Sequence, residues 1–169
     1  MPTSPAFSRP GIPYEPADLE YLTPREAVDA VTSDIRALNP LPADAHGLFT
    51  ATRHIALLGA VLTSLAGDAH YFSCERDSDK DARTSDRFAA ATVPLAQVLT
   101  HYSQALGPLA RLARTPLPAS APLDRIEVHQ HLAAATGLLA RAQTAVRKPP
   151  QTTTPALAAP AKPATTPTR

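Results

Sequence analysis

The sequence predicts an all-α protein, an antiparallel up-down-up-down four-helix bundle. Apolar residues recur at alternating spacings of three and four along four separate stretches, which is the period of an amphipathic helix. Breaks that contain proline or many charges separate the stretches, and none shows the period of two typical of a strand. The connections are mostly short, so consecutive helices are expected to lie antiparallel.

The bundle is predicted to occupy residues 23–148. Residues 1–22 contain five prolines, and residues 148–169 contain six prolines and six threonines, without apolar periodicity. Such segments bury too little apolar surface to offset the entropy lost on ordering them. We therefore expect a disordered N-terminal arm at 1–22 and a disordered Pro/Thr/Ala-rich tail at 149–169.

The first helix is predicted to begin at Thr23, which can cap it, with Pro24 in the first turn and Glu26 completing a capping box. The segment 39–42, with two prolines, ends this helix. Its apolar face consists of Val28, Val31, Ile35 and Leu38.

The second helix is predicted at about 42–73 and organises the bundle. Between Arg53 and Asp68 it carries no charge, but this run is 14 residues long, whereas a membrane span needs about 20, so we expect no membrane insertion. Leu57, Ala60 and Val61 lie beside the main stripe and are predicted to form an oligomer face. The stripe itself consists of Leu48, Ala51, Ile55, Leu58, Leu62, Leu65, Ala69 and Phe72.

Residues 75–87 are highly charged and are predicted to form a solvated connection. A third helix is then expected from Phe88, bent but continuous through Pro94 and Pro108 because its heptad phase is kept across both. Its apolar positions are Phe88, Ala91, Leu95, Val98, Tyr102, Ala105, Leu109 and Leu112.

The fourth helix is predicted to start with a capping box formed by Asp124 and Glu127 and to end at Lys148. Its apolar face consists of Val128, Leu132, Ala135, Leu139, Ala142 and Val146.

Metal sites common in helical proteins are not predicted. None of the five glutamates is followed three residues later by histidine, as a di-iron bundle requires. Asp77, Asp79 and Asp81 resemble the start of a calcium loop, but Ala82 and Phe88 replace its required glycine and glutamate. His129 and His131 lie about 200° apart on a helix and are not expected to share one metal.

The sequence predicts no enzyme and no cofactor. Cys74 follows a helix C-terminus, where the dipole does not favour a thiolate. The six glycines are isolated, so no phosphate loop is formed, and eight aromatic residues without tryptophan make a poor stacking platform for single strands.

The predicted topology collects cationic side chains at one end of the bundle, which we call the cationic rim. This rim could bind an anion, an acidic partner or a nucleic-acid backbone. However, residues 23–147 carry twelve basic and twelve acidic side chains, a balance that argues against nucleic acid as the main partner. The rim consists of His46, Arg53, His54, Arg111, Arg114, Arg125, His129 and His131.

The preferred functional hypothesis is a non-enzymatic protein-interaction or scaffold module that acts alone or as a homodimer. Residues 1–16 lack the apolar run of a signal peptide and the chain has one cysteine, so we expect a cytoplasmic location. One alternative is a nucleic-acid-associated protein that binds through the rim and the tail, whose net charge is +3. A small-molecule-binding bundle or enzyme is disfavoured because the helix faces are apolar. Thirteen arginines against three lysines and 33 alanines are typical of GC-rich, actinobacterial-like coding.

Overall fold

The computed structural model describes residues 21–74, 79–114 and 119–147. These residues form four helices and no strand, so the prediction of an all-α protein is confirmed for this part of the chain. The helices are α1 (Pro24–Ala37), α2 (Ala45–Cys74), α3 (Asp79–Leu112) and α4 (Ala121–Arg147).

Helix α1 begins at the predicted capping box. The Thr23 hydroxyl accepts a hydrogen bond from the Glu26 N–H at 3.4 Å, and the Thr23 N–H donates to the Glu26 carboxylate at 2.9 Å. Pro24 occupies the first turn, where its missing N–H costs nothing. These contacts satisfy backbone donors that would otherwise lack a partner at the helix start.

Helix α2 begins after Asp44, whose carboxylate accepts hydrogen bonds from the N–H groups of His46 at 2.8 Å and Gly47 at 3.0 Å. Its buried stripe is rotated relative to the prediction. Leu58 and Leu65 are buried as expected, but Leu62 is only half-buried. The reason is that α2 packs against both α1 and α3, and its buried residues are the ones that face these two neighbours. The residues of this face are Gly47, Thr50, Ala51, His54, Leu57, Leu58, Val61 and Leu65.

Among the described residues there is one helix, α2, that is long enough and apolar enough to cross a membrane, judged by length and composition alone. Core helices of soluble proteins meet the same criterion, and the buried face of α2 contacts α1 and α3.

Helix α3 starts at Asp79, so the prediction that residues 79–87 form a connection is wrong. Asp79 and Asp81 lie in the first turn, where negative charge interacts favourably with the helix dipole. The Ser85 hydroxyl also donates to the Ala69 carbonyl of α2 at 2.7 Å, which holds this extension against its neighbour. The helix continues through Pro94 and Pro108, as predicted.

Helix α4 starts at Ala121, one turn before the predicted start. Asp124 is therefore inside the helix and not its cap, and its side chain is buried. Its carboxylate is bound by Arg111 of α3, which explains why the Asp-x-x-Glu spacing did not mark the helix start.

Helix α3 packs against α2 on one side and against α4 on the other, and α1 contacts both α2 and α4. In two pairs of neighbouring helices, the contacts follow opposite chain directions. Phe72 stacks edge-on with Phe88 while His54 meets Tyr102, so α2 and α3 pair their residues in reverse order. The same holds for α1 and α4, where Arg147 binds Asp29 at 2.6 Å and Asn39 donates to Thr136 at 3.3 Å.

The apolar faces predicted for α3 and α4 are buried in this core at every position. Two other predictions concern residues that lie largely outside the described ranges. They are the disordered arm, of which only residues 21 and 22 are described, and the disordered tail. Asp77 of the D-x-D-x-D motif also lies outside them.

Gly47 is required by a close approach between the first turn of α2 and the preceding loop. A Cβ atom at this position would overlap the carbonyl oxygen of Pro42, which is backbone and cannot rotate away. Gly67, in the same helix, has open space around its own Cβ position.

We predict that Gly47→Ala lowers the free energy of unfolding by about 1–3 kcal/mol, because the added methyl group displaces the loop. Gly67→Ala is the matched control and should raise it by about 0.5–1 kcal/mol, because alanine favours the helix. Urea unfolding followed by circular dichroism measures both. Equal effects of the two substitutions would contradict the described path of the loop.

Candidate functional site

An apolar pocket of about 180 Å³ lies where the α1–α2 loop meets the end of α3 and the first half of α4. The loop supplies one wall, the last turn of α3 supplies a second, and one face of α4 supplies the third. The lining residues are Pro40, Leu41, Ala43, Leu112, Arg125, Val128, His129 and Leu132.

The pocket's α4 wall is positioned by an ion pair between α3 and α4. Arg111 Nε donates to Asp124 Oδ1 at 2.8 Å, and one terminal guanidinium nitrogen lies 2.7 Å from the same oxygen. The Ser120 hydroxyl donates to Asp124 Oδ2 at 2.8 Å. Both hydrogen bonds favour the carboxylate form, so Arg111 first and Ser120 second lower the pKa of Asp124.

The pocket's loop wall is positioned by the cap of α2. Because Asp44 binds the first N–H groups of α2, residues 40–43 are held directly before the helix. Leu41 is buried in the core and Ala43 packs against it, so the loop is anchored from both sides. The pocket is thus formed within a single chain.

The polar side chains of the pocket are both basic. Arg125 and His129 are one turn apart on α4, and both are exposed. The positive charge of Arg125 therefore borders an aliphatic cavity, an arrangement that favours an apolar group beside a negative charge.

Large apolar side chains are exposed close to this pocket in the sequence. Leu123 is 71% exposed and Ile126 is 54% exposed, on the same turns of α4 as Arg125. Phe49, in the second turn of α2, is 42% exposed. Such residues contribute strongly to binding when a partner covers them.

The residues of the predicted cationic rim lie in different surroundings in the structure. Arg125 and His129 line the pocket, and Arg53, Arg114 and His46 are exposed. Arg111 is instead engaged by Asp124 and lies 3.5 Å from Glu127, so its charge is largely compensated. The remaining two members of the rim, His54 and His131, lie elsewhere.

The prediction that His54 belongs to the cationic rim is wrong. Its side chain is fully buried, and its Nδ1 lies 3.2 Å from the hydroxyl of Tyr102, with the two rings edge to face. Burial disfavours the charged imidazolium and lowers the pKa of His54 to about 4. His54 is therefore a neutral core residue at pH 7.

His131 faces α3, where its Nδ1 lies 3.2 Å from Nδ1 of His101. His101 was not among the predicted site residues. No sequence pattern pairs these two histidines, because their meeting depends on how α3 and α4 align.

The predicted oligomer face is mostly inside the molecule. Leu57 and Val61 are buried in the core, and only Ala60 is exposed. The rotation of α2 accounts for this placement, since it turns these two side chains toward the core. A second copy of the chain could therefore reach only the smallest of the three side chains.

Sequence reasoning missed the apolar part of the pocket. Pro40 and Leu41 were assigned to a connection, Ala43 to the start of the second helix, and Leu112, Val128 and Leu132 to the core. These residues line one pocket only because the α1–α2 loop lies across the end of α3 and the start of α4, which the sequence does not show. Comparisons of the chain with protein-family models, curated proteins and solved structures found no match.

The burial of His54 predicts a specific pH dependence of stability. Unfolded histidine binds a proton at about pH 6.5, whereas folded His54 binds one only at about pH 4. The unfolded state thus binds more protons between these values, and stability falls as the pH decreases from about 6.5 to 4. The pKa difference corresponds to a loss of roughly 3 kcal/mol.

The test compares wild type with His54→Gln by urea unfolding at pH values from 7 to 4. Other groups titrate in both proteins, so the difference in slope isolates His54. We expect a shallower decrease for His54→Gln, whatever its absolute stability. Parallel curves would contradict the buried, neutral state of His54.

Proposed function

We propose that this protein is a non-enzymatic protein-interaction module that docks a partner segment in the pocket between the α1–α2 loop, α3 and α4. The segment presents one large apolar side chain flanked by carboxylates. The observation that supports this proposal is the combination of an aliphatic cavity with a basic border formed by Arg125 and His129. We further propose that the chain is an up-down-up-down bundle, which the reversed pairing of contacts supports.

The size of the pocket favours a side chain as its occupant. Its volume is about 180 Å³, and a cavity of roughly 150 Å³ holds a benzene-sized group. One leucine, methionine or phenylalanine side chain therefore fits. A larger cofactor would extend well beyond the lining.

The charge of the border selects the residues around that side chain. Carboxylates next to the apolar anchor would lie near Arg125 and His129. Arg114 follows the α3 wall and is exposed, so it adds to the positive potential at this end. Opposite charges at an interface border increase association rates and orient the partner.

A central apolar anchor in a pocket with a polar border is the usual arrangement of a protein interface. Leu123 and Ile126 are also exposed on α4, but they do not line the pocket. Among the residues that the structure describes, the lining contains no carboxylate, hydroxyl or thiol group, which supports binding as the function of the pocket.

Nucleic acid is the second candidate partner. The ion pairs of Arg111 with Asp124 and Glu127 count against this alternative, because they compensate one of the cations at this end of the molecule.

A cytoplasmic location remains our proposal. The single cysteine, Cys74, is free and exposed, which fits a reducing compartment.

The test is selection from a random 12-residue phage-displayed peptide library on the immobilised full-length protein. We expect the enriched peptides to share one large apolar residue next to Asp or Glu. Binding of the best peptide should weaken at least about tenfold in Arg125→Glu, because the change reverses the charge at the border. Ala43→Phe should weaken it similarly, because the larger side chain fills the pocket.

Arg141→Glu is the matched control, since Arg141 is an exposed arginine on the same helix outside the pocket. It should leave the affinity within about twofold of wild type. Peptides without an acidic and apolar pattern, or equal losses in Arg125→Glu and Arg141→Glu, would contradict the proposal. Retention of the protein on DNA or RNA at low salt, with a steep loss at higher salt, would favour the nucleic-acid alternative.

A further inference from the structure

Two histidines from different helices meet at the α3–α4 interface, and neither of them lines the proposed docking pocket. Nδ1 of His101 and Nδ1 of His131 are 3.2 Å apart, with the ring centroids at 5.5 Å and the planes inclined by 43°. Both residues are half-buried, and the His131 side chain is 21% exposed. The two rings therefore present equivalent nitrogen atoms to each other at a site that solvent can reach.

We propose that His101 and His131 form a binding site for a divalent late transition metal, such as Zn²⁺ or Ni²⁺. Imidazole is a preferred ligand of these ions. Two bonds of about 2.0–2.1 Å from one ion to nitrogens at this separation enclose an angle of roughly 100°, near the tetrahedral value. The nitrogens thus already have the spacing of two ligands of one ion.

Glu127 favours the form of His131 that binds metal. Its Oε1 lies 4.0 Å from Nε2 of His131, the nitrogen that faces away from His101. A carboxylate on this side favours the proton on Nε2 and leaves the lone pair on Nδ1 free for an ion. Without metal, the two rings share a hydrogen bond, in which one Nδ1–H donates to the other Nδ1.

No group of three His, Cys, Asp or Glu residues in the described ranges is arranged to hold a metal. The proposed site therefore has two protein ligands, and water completes the coordination. An ion with only two protein ligands exchanges readily, and because one ligand comes from each helix, it would bridge α3 and α4. Because both ligands belong to helices that form the pocket, occupancy would also stiffen the interface beside it.

The experiment is calorimetric titration of the untagged full-length protein with Zn²⁺. We expect one bound ion whose affinity decreases at least about tenfold in His101→Gln and in His131→Gln. His129→Gln is the matched control on the same helix, and His70→Ala removes the exposed pair of His70 and Cys74, whose Sγ lies 3.8 Å from Nε2. Both controls should retain this ion.

A second measurement requires no substitution. In wild type, Zn²⁺ should shift the imidazole nitrogen resonances of His101 and His131 and leave that of His129 unchanged. Absence of binding, or binding that survives both glutamine variants and disappears in His70→Ala, would overturn the proposal. Circular dichroism confirms that each variant keeps its helix content.

Discussion

The packing of α3 between α2 and α4 is the constraint on which the rest of the structure depends. α3 buries Leu95, Val98 and Leu109 completely, and it contacts a neighbour along most of its length. α1, by contrast, is short and contacts α2 and α4 only locally. Because burial of large apolar side chains is the main source of stability, α3 supplies the framework that positions the other helices.

The pocket follows from this framework through two polar anchors. The pair of Arg111 and Asp124 fixes the first turn of α4 against the last turn of α3, and the Asp44 cap fixes the loop before α2. Separating a buried charged group from its partner costs free energy, because the group then lacks its hydrogen bonds. Such anchors therefore hold a defined geometry. Under the proposed docking function, a site of this kind would need little reorganisation, which would lower the entropic cost of association.

The buried faces of α3 and α4 could be predicted from sequence because one regular spacing of apolar residues describes each of them. The capping box at Thr23 was equally predictable, since its geometry is local. The buried face of α2 was not predictable, because apolar residues lie on most sides of this helix and the choice between Leu62 and Val61 depends on how the neighbouring helices pack against it. Asp124 was assigned to a cap from the Asp-x-x-Glu spacing, and the sequence did not reveal its actual partner, because Arg111 lies on another helix.

The candidate site was predictable only in part, for the same reason. Topology predicted Arg125 and His129 to lie near the end of α3, and both line the pocket together with Leu112. The pair of His101 and His131 and the apolar lining depend on the alignment of helices and on the path of a loop, which composition and spacing do not specify. His54 was assigned to the cationic rim because the topology places the start of α2 at that end, although its contact with Tyr102 places it in the core. Tertiary contacts, not local pattern, decided each of these positions.

The central claim is that the pocket is preformed in the free chain, and amide hydrogen exchange tests it most directly. The measurement compares residues 125–132 of α4 with residues 95–109 of α3 in the full-length protein without a partner. If the anchors hold the start of α4 in place, both segments should exchange slowly, with protection of the same order. Exchange of residues 125–132 at nearly the unprotected rate would show that this wall opens freely and would contradict a preformed site.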